Sequence, residues 1–382
     1  MKESWEKKRI DEVCSIARGG SPRPIKKYIT NDPNGLNWIK IGDTDVGGKY
    51  IYSTKEKILP EGLKRSRWVE EDEFLLSNSM SFGRPYILKT NGCIHDGWLV
   101  LRDYQKYLNI DFFYYVLSSE YVQRQFRTKA QGSTVSNLNT DRVASVTIPV
   151  PPLSEQQELV SRLDAAFAQI DELKNNAERQ LAEARALFQS ALTQAMQPKP
   201  GWQKAAFGDV CYYYKEQAIH HDTKFIGMEH IESGTAALLG YQDSNEIESS
   251  SFGFSKGDVL YGRLRPYLRK VVIAEFDGCC STEIFPIRSN HVEPEFIKYW
   301  FLTDEITNKI NATSAGCRMP RGNMNEVKRF SFHYPKEKSE QRTITNNLDI
   351  LSSSIRMLES INNKTAAECD ALKQALLRQI FE

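Results

Sequence analysis

Residues 148–196 read IPVPPLSEQQELVSRLDAAFAQIDELKNNAERQLAEARALFQSALTQAM. The prolines at 149, 151 and 152 suit an extended approach and stop a preceding strand. Ser154 with Gln157 three places on has capping-box spacing, which predicts a helix starting there. Neither Gly nor Pro then occurs until Pro198, and apolar residues recur at helical spacing: Leu159, Leu163, Phe167, Ile170, Leu173, Leu181, Phe188. At 1.5 Å per residue this predicts a rod of about 60 Å. A rod that long needs a partner helix along its length.

Residues 334–382 supply one: YPKEKSEQRTITNNLDILSSSIRMLESINNKTAAECDALKQALLRQIFE. A shift of 185 positions lays Ser154-Glu155-Gln156 on Ser339-Glu340-Gln341 and Leu163-Asp164 on Leu348-Asp349. The same shift lays Ile170 on Ile355, Leu173 on Leu358, Leu187 on Leu372 and Leu192 on Leu377. The second copy has its own heptad-like stripe. The expected pairing residues are Leu163, Phe167, Ile170, Leu181 and Phe188 against Leu348, Leu351, Ile355, Leu358, Leu372 and Leu376. So long a period is a duplication of whole units, not a solenoid. The order is globule (1–150), helix (151–197), globule (198–335), helix (336–382).

The 382 residues allow two or three domains with ample core. No apolar run approaches the ~20 residues of a membrane span, and MKESWEKKRI lacks the apolar segment of a signal peptide. A cytoplasmic location is the default expectation. Seven cysteines without a C-x-x-C pair argue against a disulfide or zinc framework. A net charge of +1 means that any nucleic-acid contact must use local basic patches.

In the first globule, short β-like runs at Trp38–Ile41, Phe74–Leu76, Tyr86–Leu88 and Trp98–Leu101 alternate with turn residues, and one helix is expected over Ile110–Thr128. The class is α+β, with a mostly antiparallel or mixed sheet. The second globule repeats the first with divergence. Val13-Cys14 returns as Val210-Cys211, Arg84-Pro85-Tyr86 as Arg265-Pro266-Tyr267, Gly92-Cys93 as Gly278-Cys279, and Asp111-Phe112 as Glu295-Phe296.

Two divergent globules, each followed by a long helix, with Pro-Pro-Leu-Ser-Glu-Gln-Gln at 151–157, resemble the specificity subunit of a type I restriction-modification system. The second helix start, Pro335-Lys336-Glu337-Lys338-Ser339-Glu340-Gln341, departs from that motif by lacking the double proline and the leucine. The resemblance implies two target recognition domains, each reading one half-site of double-stranded DNA, held apart by two long antiparallel coiled-coil helices. A direct repeat folded on antiparallel helices acquires a pseudo-twofold axis. The implied target is bipartite and asymmetric, with an unread gap. The implied partners are two modification (methyltransferase) subunits using S-adenosylmethionine, and restriction (translocase and nuclease) subunits using ATP and Mg. No cofactor or metal is expected in this chain, and no membrane.

Affinity for DNA needs Lys and Arg at phosphates, and readout needs donors and acceptors at base edges. In the first globule the candidates are Arg18, Ser21, Arg23, Lys26 and Lys27 in a Gly/Pro-shaped loop, then Arg84, and Ser133, Thr134 and Ser136 in a polar loop. A solvated loop would have the same composition. Lys64-Arg65-Ser66-Arg67 is a further basic run, but Glu70–Glu73 follows it, which also suits an ion-paired face. In the second globule the candidates are Arg263, Arg265, Tyr267, Arg269 and Lys270; on a strand, Arg263, Arg265, Tyr267 and Arg269 would share a face. Arg318, Arg321 and Asn323 match the polar loop of the first globule by position.

Catalytic signatures are missing from the sequence: neither a G-x-x-x-x-G-K phosphate loop nor an Asn/Asp-Pro-Pro-Tyr tetrapeptide occurs. His220-His221-Asp222 is a poor metal site, since adjacent histidines point apart on most backbones. Cys279-Cys280 reads as a half-buried strand pair rather than a nucleophile or disulfide. The leading reading is a non-catalytic DNA-recognition subunit. Its rivals are the specificity subunit of a fused type II restriction-methylation enzyme, a coiled-coil adaptor that binds only protein, and a self-sufficient nuclease or methyltransferase.

Overall fold

The structure, a computed structural model, describes residues 4–45, 47–78, 82–130, 138–218, 222–314 and 318–382. Two helices of 44 residues each, Leu153–Met196 and Lys338–Phe381, stand out. The chain forms two compact units, Met1–Asn176 with Lys364–Glu382, and Ala177–Asn363. The units cut across both helices because each globule buries its core against the helix segments beside it.

In the first unit, one five-stranded sheet contains Ser15–Arg18, Trp98–Arg102, Phe74–Ser77, Pro85–Leu88 and Tyr50–Ile51. A second contains Ile29–Thr30, Glu56–Ile58, Leu36–Ile39, Gly92–Ile94 and Arg67–Val69. The second unit repeats the plan with four strands in each sheet. Parallel pairing recurs at one place in both: Cys93 lies beside Trp38, and Cys279 beside Phe225. A Cβ on Gly92 would lie 2.7 Å from the Asn37 carbonyl oxygen, and one on Gly278 would lie 2.4 Å from that of Lys224. Only glycine allows the strands to approach so closely, which explains the repeated Gly-Cys. The globules are α+β with mixed sheets.

The helix expected over Ile110–Thr128 is two helices, Ile110–Ser118 and Glu120–Ala130. Ser119 between them is extended, and its hydroxyl donates to the Val116 carbonyl. Thr303 breaks the second unit's helix in the same way, between Pro294–Leu302 and Asp304–Ala312. A side-chain hydroxyl bonding the local backbone competes with helical continuation without Gly or Pro.

The first core joins Phe74, Phe112, Phe113 and Phe126 to Leu163, Leu377 and Phe381 of the long helices. The second joins Phe207, Phe296, Trp300 and Phe332 to Leu192 and Leu348. Each fully buried side chain of this size contributes about 1.5–3 kcal/mol of transfer free energy.

The first long helix does not start as the capping-box spacing predicted. The first begins at Leu153, with the Gln156 N–H donating to the Pro152 carbonyl, so Ser154 already lies inside the first turn. Gln156 rather than Gln157 is the committed polar group. Gln156 is fully buried; its oxygen accepts the Asn109 N–H at 2.8 Å, and its amide donates to the Tyr107 and Pro151 carbonyls. Gln341 repeats the arrangement, accepting the Glu293 N–H at 2.8 Å and donating to His291 and Pro335. Two turns on, the Tyr115 hydroxyl donates to Asp164, and the Tyr299 hydroxyl to Asp349 at 2.5 Å. Burial and then the carboxylate push both tyrosine hydroxyls well above their ordinary value, so they remain donors.

Within each unit the two helices run antiparallel. In the first unit Asp171 meets Lys373 and Lys174 meets Asp370; in the second Arg185 meets Glu359. Leu163, Ile170 and Leu348 are buried, and Phe167, Leu181, Phe188, Ile355 and Leu376 are half-buried. Three expected pairing residues are not covered: Leu351 and Leu358 are just over a third exposed, and Leu372 is 49% exposed. Their positions fall toward the outer face, with Leu173, Leu187, Ile350, Met357 and Ile361.

Removing the Gln341 side chain would strand one buried N–H and two carbonyls, a loss of about 1–3 kcal/mol for an unsatisfied buried group. Gln341→Ala and Gln156→Ala should each lower the urea midpoint of the unit concerned. Gln157→Ala, on an exposed neighbour, should stay within about 0.5 kcal/mol of wild type in the same titration.

Candidate nucleic-acid interface

The first unit gathers its cations around one turn. Gly19 and Gly20 donate to the Trp98 and Ile94 carbonyls, laying the 18–27 loop over the 94–98 turn. A Cβ on Gly19 would lie 2.1 Å from the His95 carbonyl oxygen, so glycine is required. The Asp96 carboxylate accepts from the Ser21 hydroxyl at 2.6 Å and from Arg23 at 3.3 Å. Its carbonyl accepts from Arg18 at 3.0 Å and Asn78 at 2.9 Å. The Ser21 hydrogen bond, with the His95 and Arg23 charges, holds the Asp96 carboxyl below the ordinary range against partial burial. Lys26 and Lys27 lie exposed on a 3₁₀ turn over Ile25–Lys27.

Arg65 and Arg67 join this cluster. Arg67 donates to the Arg18 carbonyl at 2.6 Å, and Arg65 to the Arg23 carbonyl at 3.4 Å. The expected ion-paired face with Glu70–Glu73 is not what these two arginines form; Glu73 pairs with Arg102. Arg84 is exposed, and its N–H donates to the Ser77 hydroxyl. Ser133, Thr134 and Ser136 lie outside the described residues, as do His220 and His221.

In the second unit the segment 263–270 is not a strand. The strand Val259–Gly262 ends before it, Pro266–Leu268 is a 3₁₀ turn, and Arg265 and Arg269 have φ of 52° and 51°. The proposed common face of Arg263, Arg265, Tyr267 and Arg269 therefore does not exist. Arg269 instead reaches Asp304 at 2.5 Å and the Leu302 carbonyl, and Lys270 donates to the Met228 carbonyl at 2.6 Å. Both are held by structural partners. The Arg-Pro-Tyr repeat is likewise not a structural one. Pro85 opens a strand paired with Leu76, whereas the corresponding place opposite Tyr261 is Val271.

Arg265 and Tyr267 are exposed, beside a loop that the backbone ties to 320–322. Arg263 and Arg321 converge on the Glu283 carboxylate at 2.9 and 2.8 Å. Burial works to raise the Glu283 carboxyl, but the two arginines outweigh it and hold it below its ordinary value. Arg318 is exposed on the same loop. Asn323 caps the short helix Met324–Val327 by accepting the Asn325 N–H, as Asn139 caps Thr140–Ala144. Its carbonyl oxygen is thus engaged in the fold.

The buried Cys279 and Cys280 lie on the strand Gly278–Ser281. Among the described residues no group of His, Cys, Asp and Glu is placed to hold a metal ion, and no helix is long and apolar enough to cross a membrane. Sequence reading passed over Arg65 and Arg67 as contributors because their partners are carbonyls about 45 positions away. It also passed over Lys215, which the Cys14-to-Cys211 correspondence places on Arg18.

The chain is similar to the specificity subunit of the type I restriction enzyme EcoDI from Escherichia coli, 24% identical over 313 residues, covering 72% of this chain and 70% of that one. Its fold is similar to a chain solved in a study of complex assembly and conformational transition of the type I R-M system. That match has a TM-score of 0.75 and 19% identity, over 99% of this chain and 98% of that one. The HsdS subunit from Thermoanaerobacter tengcongensis matches with a TM-score of 0.54 and 19% identity, over 100% and 97%. Residues 2–183 and 200–366 match the family described as the type I restriction modification DNA specificity domain. With both globules and most of both helices inside those two matches, the chain belongs to the family of type I restriction-modification DNA specificity proteins.

Proposed function

We propose that this protein reads a bipartite, asymmetric DNA target, one half-site per globule, and that it does so without chemistry of its own. The observation that carries this reading is that each unit, built on the same scaffold, presents a different cation-rich loop cluster. In one, Arg18 and Arg23 bond Asp96 while Arg65 and Arg67 bond the Arg23 and Arg18 carbonyls; in the other, Arg263 and Arg321 bond Glu283. Guanidinium groups anchored by carboxylates and carbonyls are pre-oriented for phosphate and guanine edges, at low entropic cost on binding. Different side chains on one scaffold imply different half-sites.

The catalytic steps then belong to partners: methylation by two modification subunits that bind S-adenosylmethionine, and translocation and cleavage by restriction subunits that use ATP and Mg. The proposed docking face for the modification subunits is the uncovered apolar side of the long helices, with Ile350, Met357 and Ile361 on the second. These residues are 49–67% exposed and recur at helical spacing, as a helix awaiting a partner requires. The work is proposed to take place in the cytoplasm, with the chromosome. A fused type II partner would use the same two faces.

Mapping adenine methylation genome-wide, with and without this gene, tests the reading directly. Deletion should remove one gapped asymmetric motif, and exchanging the second globule should change one half of it. An unchanged map in cells where the modification partner is active would refute the role. Arg265→Ala should weaken DNA binding while leaving the thermal midpoint within a degree or two, whereas Arg269→Ala should lower the midpoint by its loss of Asp304 and Leu302. Met357→Glu with Ile361→Glu should abolish co-purification of the modification subunit and leave the isolated chain's melting unchanged.

A further inference from the structure

A cleft of about 270 Å³ in the second unit is lined by Lys215, Arg263, Phe285, Thr313, Arg321 and Asn323, among others. The Phe285 ring is part of its lining. Lys215 Nζ lies 4.2 Å from that ring's centroid, and the Arg263 guanidinium carbon lies 5.5 Å from it. Lys328 Nζ stands close by, 5.1 Å from the Tyr213 ring against which Lys215 also lies at 5.9 Å. Of the carboxylates bonded to its lining, Glu283 is shared by Arg263 and Arg321, and Glu326 accepts from the Asn323 amide at 3.1 Å.

Lys215 is the unusual member. It is exposed as a residue although its ammonium lies against the Phe285 ring, and among the described residues it has neither a hydrogen-bond acceptor nor a carboxylate partner. Burial depresses its ammonium below the ordinary lysine value, and the Lys328 and Arg263 charges add to the effect. An aromatic face offsets part of the cost of holding a cation there, but a cation–π contact does not neutralise charge. The cleft thus gathers three cations, Lys215, Arg263 and Arg321; Glu283 takes up both arginines and Glu326 the Asn323 amide, so the Lys215 charge is the one left uncompensated among the described residues. An anion entering it would relieve repulsion and gain charge-assisted hydrogen bonds at once.

The place of Lys215 in the fold points the same way. Arg18 ends the strand that pairs with Trp98–Arg102, opposite Leu99. The strand Cys211–Tyr213 pairs with Ile284–Ser289 in the same register, Tyr213 opposite Ile287, and Lys215 follows two positions on, against Phe285. Both globules therefore put a cation at the same corner. In the first, Arg18 is tied to the Asp96 carbonyl; in the second, Lys215 has ring contacts but, among the described residues, no hydrogen-bond or ion-pair partner.

We propose that the Phe285 cleft is a seat for one backbone phosphate of the half-site read by the second globule, with Lys215 as the residue that grips it. This rests on the DNA-recognition reading above. A phosphate contact carries no sequence information, so its loss weakens all duplexes alike.

The test uses the full chain assembled with its modification subunits, and two duplexes: one carrying the motif found by methylation mapping, one with that motif scrambled. Lys215→Met keeps the apolar stem on Phe285 and removes the charge; Lys215→Arg keeps the charge. Lys215→Met should weaken binding to both duplexes by the same factor. It should also make the slope of log affinity against log salt shallower by about 0.9, the share of one phosphate. Lys215→Arg should restore the slope, the methylated motif should be unchanged in both variants, and the melting midpoint of Lys215→Met should not fall. Wild-type affinity and slope in Lys215→Met would overturn the proposal while leaving the DNA-recognition reading intact, as would a change in the methylated motif, which would make Lys215 a base contact. A wild-type complex whose binding to both duplexes ignored salt would refute both readings.

Discussion

The buried glutamines Gln156 and Gln341 fix where each long helix leaves its globule. Each buried amide satisfies three main-chain groups, and each bonds segments that are otherwise far apart: the residues before the globule's own helix and the first turn of the long one. An amide is suited to this because it carries a donor and an acceptor on one rigid plane. A mismatch of even one group would leave a buried polar atom uncompensated, so the joint has one geometry. The Tyr115–Asp164 and Tyr299–Asp349 bonds set the helix azimuth two turns later. With start and azimuth fixed, the apolar residues that reach the globule cores follow, and so does the face that stays uncovered.

Much of this was legible because the joint is written in identical letters. Gln156 matches Gln341, Asp164 matches Asp349, and the Gly-Cys pairs match where strands crowd. The reading erred where a letter was identical but its register was not. Arg-Pro-Tyr occurs in both globules, yet it opens a strand in one and a 3₁₀ turn in the other. Alternation along 263–269 implied a common face, and two residues with positive φ destroyed it. The helix break at Ser119 and Thr303 was invisible because neither is Gly or Pro; the hydroxyl bond that breaks the helix is common to any Ser or Thr until the fold selects it.

The basic clusters were legible as charge but not as arrangement. Composition located the 18–27 loop; it could not show that Arg65 and Arg67 donate to that loop's carbonyls, or that Arg269 and Lys270 are spent on the fold. A cation's role depends on which acceptor it meets first, and main-chain acceptors leave no trace in sequence. The heptad reading likewise found the apolar positions but counted Leu372 among the paired ones, since spacing alone does not distinguish a seam from an outer stripe.

The membership of the two compact units has a consequence for how the protein is made. The second unit, Ala177–Asn363, is continuous in sequence. The first is closed by Leu377 and Phe381, which pack on Phe112 and its neighbours. During synthesis at about 5–20 residues per second, the first globule would emerge early and wait on the order of ten seconds or more for those residues. Through that interval its aromatic core would lack one wall, while the later globule could already be complete. The early-made half is therefore the one exposed to chaperones and to wrong partners, and the last turns of the chain act as its latch.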